Sequence, residues 1–182
     1  MRVFIGIEFP REVKEYLEQL QQDIKIKCKS GNFTRKENFH LTLRFIGEAE
    51  AGLINELKRG IDDAVLQFEC FNMELGRLGQ FARGNKHIIW VGIKPNKNLN
   101  ALHSRLEASL EAIGFPKDQK GYTPHVTLAR EAVLKEDLNN ILQLVKVSNM
   151  TIPIHKITLF ESTRANGVLT YRPVYAKELH NQ

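Results

Sequence analysis

At 182 residues, with 42% hydrophobic and 26% charged residues, the chain has the make-up of an ordinary globular protein, which excludes a disordered or membrane chain. A formal charge of +5, from 26 Lys+Arg against 21 Asp+Glu, favours anionic partners without selecting nucleic acid. The longest apolar run, Ile88 to Ile93, is far too short to cross a bilayer, and Glu8 interrupts the start before a signal-peptide core can form, so no membrane role and a cytoplasmic location are expected.

In chain order, Arg2 to Phe9 reads as a strand stopped by Pro10. Val13, Leu17, Leu20 and Ile24 recur at helical spacing, and Ser30-Gly31 reads as the end of that element. Cys28 and Cys70 have neither close spacing nor a metal-ligand pattern and read as reduced structural thiols. A short strand near Phe33 and a longer one from about Phe39 to Ile46 follow, closed by Gly47. Leu53, Leu57, Ile61, Ala64 and Val65 mark a second amphipathic helix, Phe68 to Leu78 a strand, and Gly79 to Asn85 a loop.

From His87 the pattern begins again. A strand to Ile93 is followed by a helix with Leu99, Leu102, Leu106, Leu110 and Ile113 on one stripe. Next come a strand at His125, a helix carrying Leu138, Ile141, Leu142 and Val145, and a strand from about Thr151 to Glu161. Asn166-Gly167 then reads as a turn into a last strand, Leu169 to Leu179.

Two echoes fix this repetition. Phe4-Ile5-Gly6-Ile7 returns as Trp90-Val91-Gly92-Ile93, and His40-Leu41-Thr42-Leu43 returns as His125-Val126-Thr127-Leu128, at offsets of 86 and 85 residues. On ordinary composition roughly a few histidines in a thousand would be followed by apolar-Thr-Leu. The reading is an internal duplication, with repeat 1 about 1–85 and repeat 2 about 86–182, in a single bilobal domain. The fold class is α+β: two pseudo-symmetric lobes, with antiparallel sheets lining a central cleft and helices on the outside.

Alternation along a strand sends His40 and Thr42 to one face and Leu41 and Leu43 to the other, and does the same for His125 and Thr127. An approximate two-fold then sets two imidazoles and two hydroxyls around one space. Imidazoles near pKa 6.5 can hold one neutral and one protonated member near neutrality, which concerted acid and base work requires. Phosphoester cleavage suits the pair, because attack and departure lie on opposite sides of phosphorus, and Thr42, Thr127 and Arg44 or Arg130 could hold the non-bridging oxygens. Arg44 is in phase with His40 and Thr42 on an unbroken strand. Arg130 lies an odd number of residues from His125 and reaches the cleft only if the strand ends or bends near Ala129, for which a helix start at Glu131-Ala132 would serve.

The doubled His-x-Thr-x pattern resembles the 2H phosphoesterase superfamily. Asn38-Phe39-His40-Leu41-Thr42-Leu43-Arg44-Phe45-Ile46-Gly47-Glu48 and Thr123-Pro124-His125-Val126-Thr127-Leu128-Ala129-Arg130 are similar to the two signatures of the RNA 2′,3′-cyclic phosphodiesterases, also called 2′-5′ RNA ligases. The likeness extends to Trp90-Val91-Gly92 and Leu159-Phe160-Glu161-Ser162. It implies hydrolysis of an RNA 2′,3′-cyclic phosphate to a 2′-phosphomonoester without metal or other cofactor. It also implies His40 as proton donor, His125 as proton acceptor, and Thr42, Thr127 and Arg130 as phosphate ligands. Pseudo-symmetry alone leaves donor and acceptor interchangeable.

Expected substrates are RNA ends or small nucleotides with a 2′,3′-cyclic phosphate, with reversible 2′-5′ ligation or action on a 2′-5′ linkage as related activities, and the chain is expected to act as a monomer. A non-catalytic nucleotide- or RNA-binding module using the same cleft is the alternative; binding alone would not require both an acid and a base. His87, His103, His155 and His180 lack the companion threonine and read as surface residues. Phe81 and Arg83 could stack on or steer a nucleotide or simply anchor a loop, and Tyr122 could reach a base or cap the core.

Overall fold

The order of elements is β1 (Arg2–Glu8), α1 (Arg11–Lys25), β2 (Cys28–Phe33), a single 3-10 turn (Lys36–Asn38), β3 (His40–Glu48), α2 (Ala51–Val65), β4 (Phe71–Arg83) and β5 (Lys86–Ile93). Then come α3 (Lys97–Ala112), β6 (His125–Leu134), α4 (Leu138–Leu144), β7 (Thr151–Ile154), β8 (Lys156–Ala165) and β9 (Val168–Glu178). The computed structural model describes residues 1–118 and 121–181.

Two antiparallel sheets result, a four-stranded one in the order β3-β1-β8-β9 and a five-stranded one in the order β2-β6-β5-β4-β7. Each takes strands from both halves of the chain, so the boundary near residue 85 divides the sequence echoes and not the sheets. β1 is central, and Val3 to Ile7 are buried on both its faces. The helical stripes are core: Val13, Leu17, Leu20 and Ile24 of α1, Leu57, Ile61, Ala64 and Val65 of α2, and Leu99, Leu102, Leu106 and Leu110 of α3. No helix among the described residues is long and apolar enough to cross a membrane.

Four local expectations need correction. Ser30-Gly31 lies inside β2, after a helix that ends at Lys25. The expected loop from Gly79 to Asn85 is mostly strand: β4 runs on to Arg83, pairs with β5, and turns only at Gly84-Asn85. Gly79 breaks nothing, since it makes room for the Trp90 indole, into which a Cβ would project at 2.2 Å. The strand expected from Thr151 to Glu161 is two, parted at His155, with β7 in one sheet and β8 in the other. Finally, Glu131-Ala132 lies within β6 and starts no helix. The terminal hairpin has the expected turn, with Asn166 and Gly167 both at positive φ, as a two-residue turn between twisted strands requires.

The glycine echo also slips in register. Gly6 stands opposite Thr42, whereas Gly92 stands opposite His125, so the two ladders differ by two residues.

Candidate active site

β3 and β6, one from each sheet, bring His40, Thr42, His125, Thr127 and Arg130 to one small cavity of about 60 Å³, completed by Thr34, Asn38 and Tyr171. The alternation His-in, Leu-out holds for both motif strands: Leu41, Leu43, Val126 and Leu128 are buried in the core.

A bulge in each strand decides which arginine joins them. Against β5, Thr127 pairs with Trp90 and Ala129 with Ile89, leaving Leu128 as an extra residue. Alternation therefore reverses after Leu128, Ala129 is buried, and Arg130 turns onto the His125 face. A second irregularity around Glu131, whose φ is 51°, lets the strand continue past it. The equivalent bulge in β3 has the opposite effect. Thr42 pairs with Gly6 and Arg44 with Ile5, so Leu43 is the extra residue and Arg44 leaves the phase of His40 and Thr42. Its guanidinium is committed elsewhere, with Nη1 donating to Glu107 Oε2 at 2.7 Å and Nη2 to the Pro116 carbonyl at 2.6 Å. The expectation that Arg44 lines the cleft is thus corrected, and its place in strand phase passes to Phe45, which is 51% exposed.

Gln21, which the sequence reading passed over, supports the β6 bulge. It is buried among the apolar residues of α1, and its Nε2 donates to the carbonyls of Leu128 and Thr34, both at 2.7 Å. The Thr34 hydroxyl donates to the Thr127 carbonyl at 2.9 Å. Together they satisfy main-chain acceptors where the ladder is interrupted.

The two imidazoles are held alike. His40 Nδ1 lies 2.7 Å from the Asn38 carbonyl and His125 Nδ1 lies 2.7 Å from the Thr123 carbonyl. A carbonyl only accepts, so Nδ1 carries the proton in each and Nε2 is left to take or give one. His40 Nε2 is 3.0 Å from the Thr42 hydroxyl. Asn38 is itself clamped, its Nδ2 donating to the Leu169 carbonyl at 2.9 Å and its Oδ1 accepting from the Tyr171 amide at 3.3 Å. This ties β9 to the carbonyl that orients His40. Neither Asn38 nor Tyr171 carries a signal in its own neighbourhood strong enough to assign it such a role.

The surroundings are not symmetric. His40 packs against Phe4, with ring centroids 4.7 Å apart, and against the edge of Tyr171 at 5.0 Å. Burial, with the charges of Arg130 and Lys14 adding to it and the Asn38 carbonyl opposing, pushes its pKa down to about 4. His125 is also lowered, by burial first and by Arg130, against the Thr123 carbonyl. Both are therefore neutral in the free protein at pH 7, and a bound phosphate monoanion would draw a proton back onto either one.

Unfolded, His40 takes up its proton near pH 6.5; folded, it resists down to about 4. Between those values the unfolded chain binds more protons, so stability present above pH 6.5 is lost as pH falls through the window. His40→Asn should flatten this fall, by on the order of 2 kcal/mol between pH 7 and 4, in urea titrations across pH. Equal slopes for both proteins would show that His40 is not held neutral.

The other histidines lie outside the cleft. His103 is not simply a surface residue: it is half-buried and stacks on Tyr122 at 3.8 Å between centroids, while the Tyr122 hydroxyl donates to the Thr42 carbonyl at 3.3 Å. Tyr122 thus backs the motif strand.

One His-x-Thr strand from each of two facing sheets, meeting beside a single arginine, defines a two-histidine phosphoesterase arrangement. The chain belongs to the 2′-5′ RNA ligase superfamily, whose family model matches residues 9–166. It is similar to the RNA 2′,3′-cyclic phosphodiesterase of Thermotoga maritima, at 24% identity over 176 residues that cover 96% of this chain and 94% of that one. The enzyme of the same name from Methanocaldococcus jannaschii is 30% identical over 131 residues, 71% of each chain. In fold it resembles the protein TT0787 of Thermus thermophilus, with a TM-score of 0.82 at 20% identity over the whole of both chains.

Proposed function

We propose that the protein hydrolyses RNA 2′,3′-cyclic phosphate ends to 2′-phosphomonoesters. The carrying observation is that both histidines have Nδ1 pinned to a main-chain carbonyl at the same distance, leaving two Nε2 atoms to serve one cavity with Arg130 beside them. In the reaction His125 Nε2 takes a proton from water, the water oxygen bonds to phosphorus, the bond from phosphorus to O3′ breaks, and O3′ receives a proton from His40 Nε2. Thr42, Thr127 and Arg130 hold the non-bridging oxygens, Arg130 supplying the positive charge that offsets the negative charge gathering on them as the fifth bond forms. A 5′-hydroxyl in place of water gives a 2′-5′ bond by the same steps.

The donor and acceptor labels follow the family pattern: His40, packed against Phe4 and Tyr171, gives its proton once bound phosphate has returned one to it, and His125 takes one from water. Both histidines and Arg130 come from one chain, so a monomer is sufficient. The free thiols of Cys28 and Cys70 suit the reducing cytoplasm.

The test is a short RNA bearing a 2′,3′-cyclic phosphate, incubated with the protein under excess chelator, with the product end identified. The expected product is a 2′-phosphate. No turnover, or a 3′-phosphate, would overturn the proposal, and binding without turnover would favour the non-catalytic alternative.

A further inference from the structure

The RNA attached to a cyclic phosphate end must leave the cleft, and its two aromatic walls are not equally open. Around His40, Phe4 and Phe160 are packed away, each 4% exposed and stacked on one another at 5.1 Å, and Tyr171 is half-buried against Phe4 and His40. Around His125 one ring is open. Phe81 is 39% exposed, its centroid 5.3 Å from His125 and 5.2 Å from Trp90. Trp90 lies over Gly79, where no side chain could stand, and so braces Phe81 from within the sheet.

The same hairpin carries charge at its tip. Arg83 and Lys86 pair across the Gly84-Asn85 turn, in strand phase with Phe81 and Ile88. They border a second cavity, of about 200 Å³, which Arg130 also lines. Arg130 is thus shared by this cavity and the catalytic one. The second cavity also contains Glu131, which binds Lys86 at 3.2 Å and offsets its charge. Among the described residues Arg83 has no such partner.

We infer that the β4–β5 hairpin is a subsite for the nucleotide that precedes the cyclic end, stacking its base on Phe81 and holding the linking phosphate at Arg83, next to the Arg130 that serves the reacting phosphate. An exposed aromatic face beside a cationic pocket is what a single strand requires, a surface for the base and a charge for the backbone. The consequence is selectivity for RNA chain ends over cyclic mononucleotides. This rests on the function proposed above.

The experiment compares kcat/KM for a tetranucleotide ending in a 2′,3′-cyclic phosphate with that for adenosine 2′,3′-cyclic phosphate. The chain is expected to be favoured at least about tenfold. Phe81→Ala should bring the ratio towards one, and Phe81→Trp should keep it. Arg83→Gln should lower the ratio and make its salt dependence shallower. A ratio near one in the wild-type protein, or a ratio unchanged in both Phe81→Ala and Arg83→Gln, would overturn the inference. So would an effect confined to transfer onto an added 5′-hydroxyl RNA, which would assign the hairpin to an acceptor strand. Turnover of neither substrate would remove the function itself and the subsite with it, whereas hydrolysis of both at equal efficiency removes the subsite alone.

Discussion

His40→Ala and His125→Ala are each expected to cut kcat by about 10²- to 10⁴-fold on a cyclic phosphate end, the ordinary scale of a lost general acid or base. KM should change less, because Arg130, Thr42 and Thr127 remain to hold the phosphate. The double variant should fall well short of the product of the two effects, since acid and base act in one concerted step and losing either leaves the other little to do. Unfolding midpoints control for structure, which matters more for His40, packed between Phe4 and Tyr171. The two variants should part on a phosphodiester whose leaving group is a nitrophenolate, which departs without a proton. His40→Ala should recover much of its activity on that substrate and His125→Ala should not. Recovery by His125→Ala instead would exchange the donor and acceptor labels and leave the site intact.

What the chain reveals before folding depends on how far each interaction reaches along it. The two His-x-Thr strands, the helical stripes and the Asn166-Gly167 turn are legible because their logic is local, a period of two or 3.6 or a pair of positive φ angles. The arginines are not. Alternation assigned the cleft to Arg44 and required a break for Arg130, but a bulge is set by the partner strand and by a helix over a hundred residues away, since Gln21 of α1 satisfies the carbonyl at Leu128. Reading Gly79 as a loop failed for the same reason: the need for glycine comes from Trp90 across the ladder. The duplication is visible as text, yet strand exchange between the halves and the two-residue slip at Gly6 and Gly92 belong to tertiary pairing.

Glu107→Ala should cost about 3 to 5 kcal/mol of stability, the scale for stranding one member of a buried ion pair. Arg44 and Glu107 are only 10% and 5% exposed, and the pair is 2.7 Å apart between β3 and α3. Their remaining polar atoms are poorly provided for: Arg44 Nε and Glu107 Oε1 are buried without a hydrogen bond. The carboxylate is therefore needed chiefly because the guanidinium is there, and removing both should be far gentler than removing one. Arg44→Met with Glu107→Leu is expected to regain most of the loss, a coupling that a double-mutant cycle in urea unfolding would measure. The pair also ties the segment before His125, since Glu107 Oε2 accepts from the Asp118 amide at 3.1 Å and Arg44 donates to the Pro116 carbonyl. Any change in activity in the double variant should therefore follow from a looser approach to β6 and leave the affinity for inorganic phosphate as it was. Loss of phosphate affinity in that variant, at wild-type stability, would put Arg44 back among the phosphate ligands and show that the bulge at Leu43 does not decide its role.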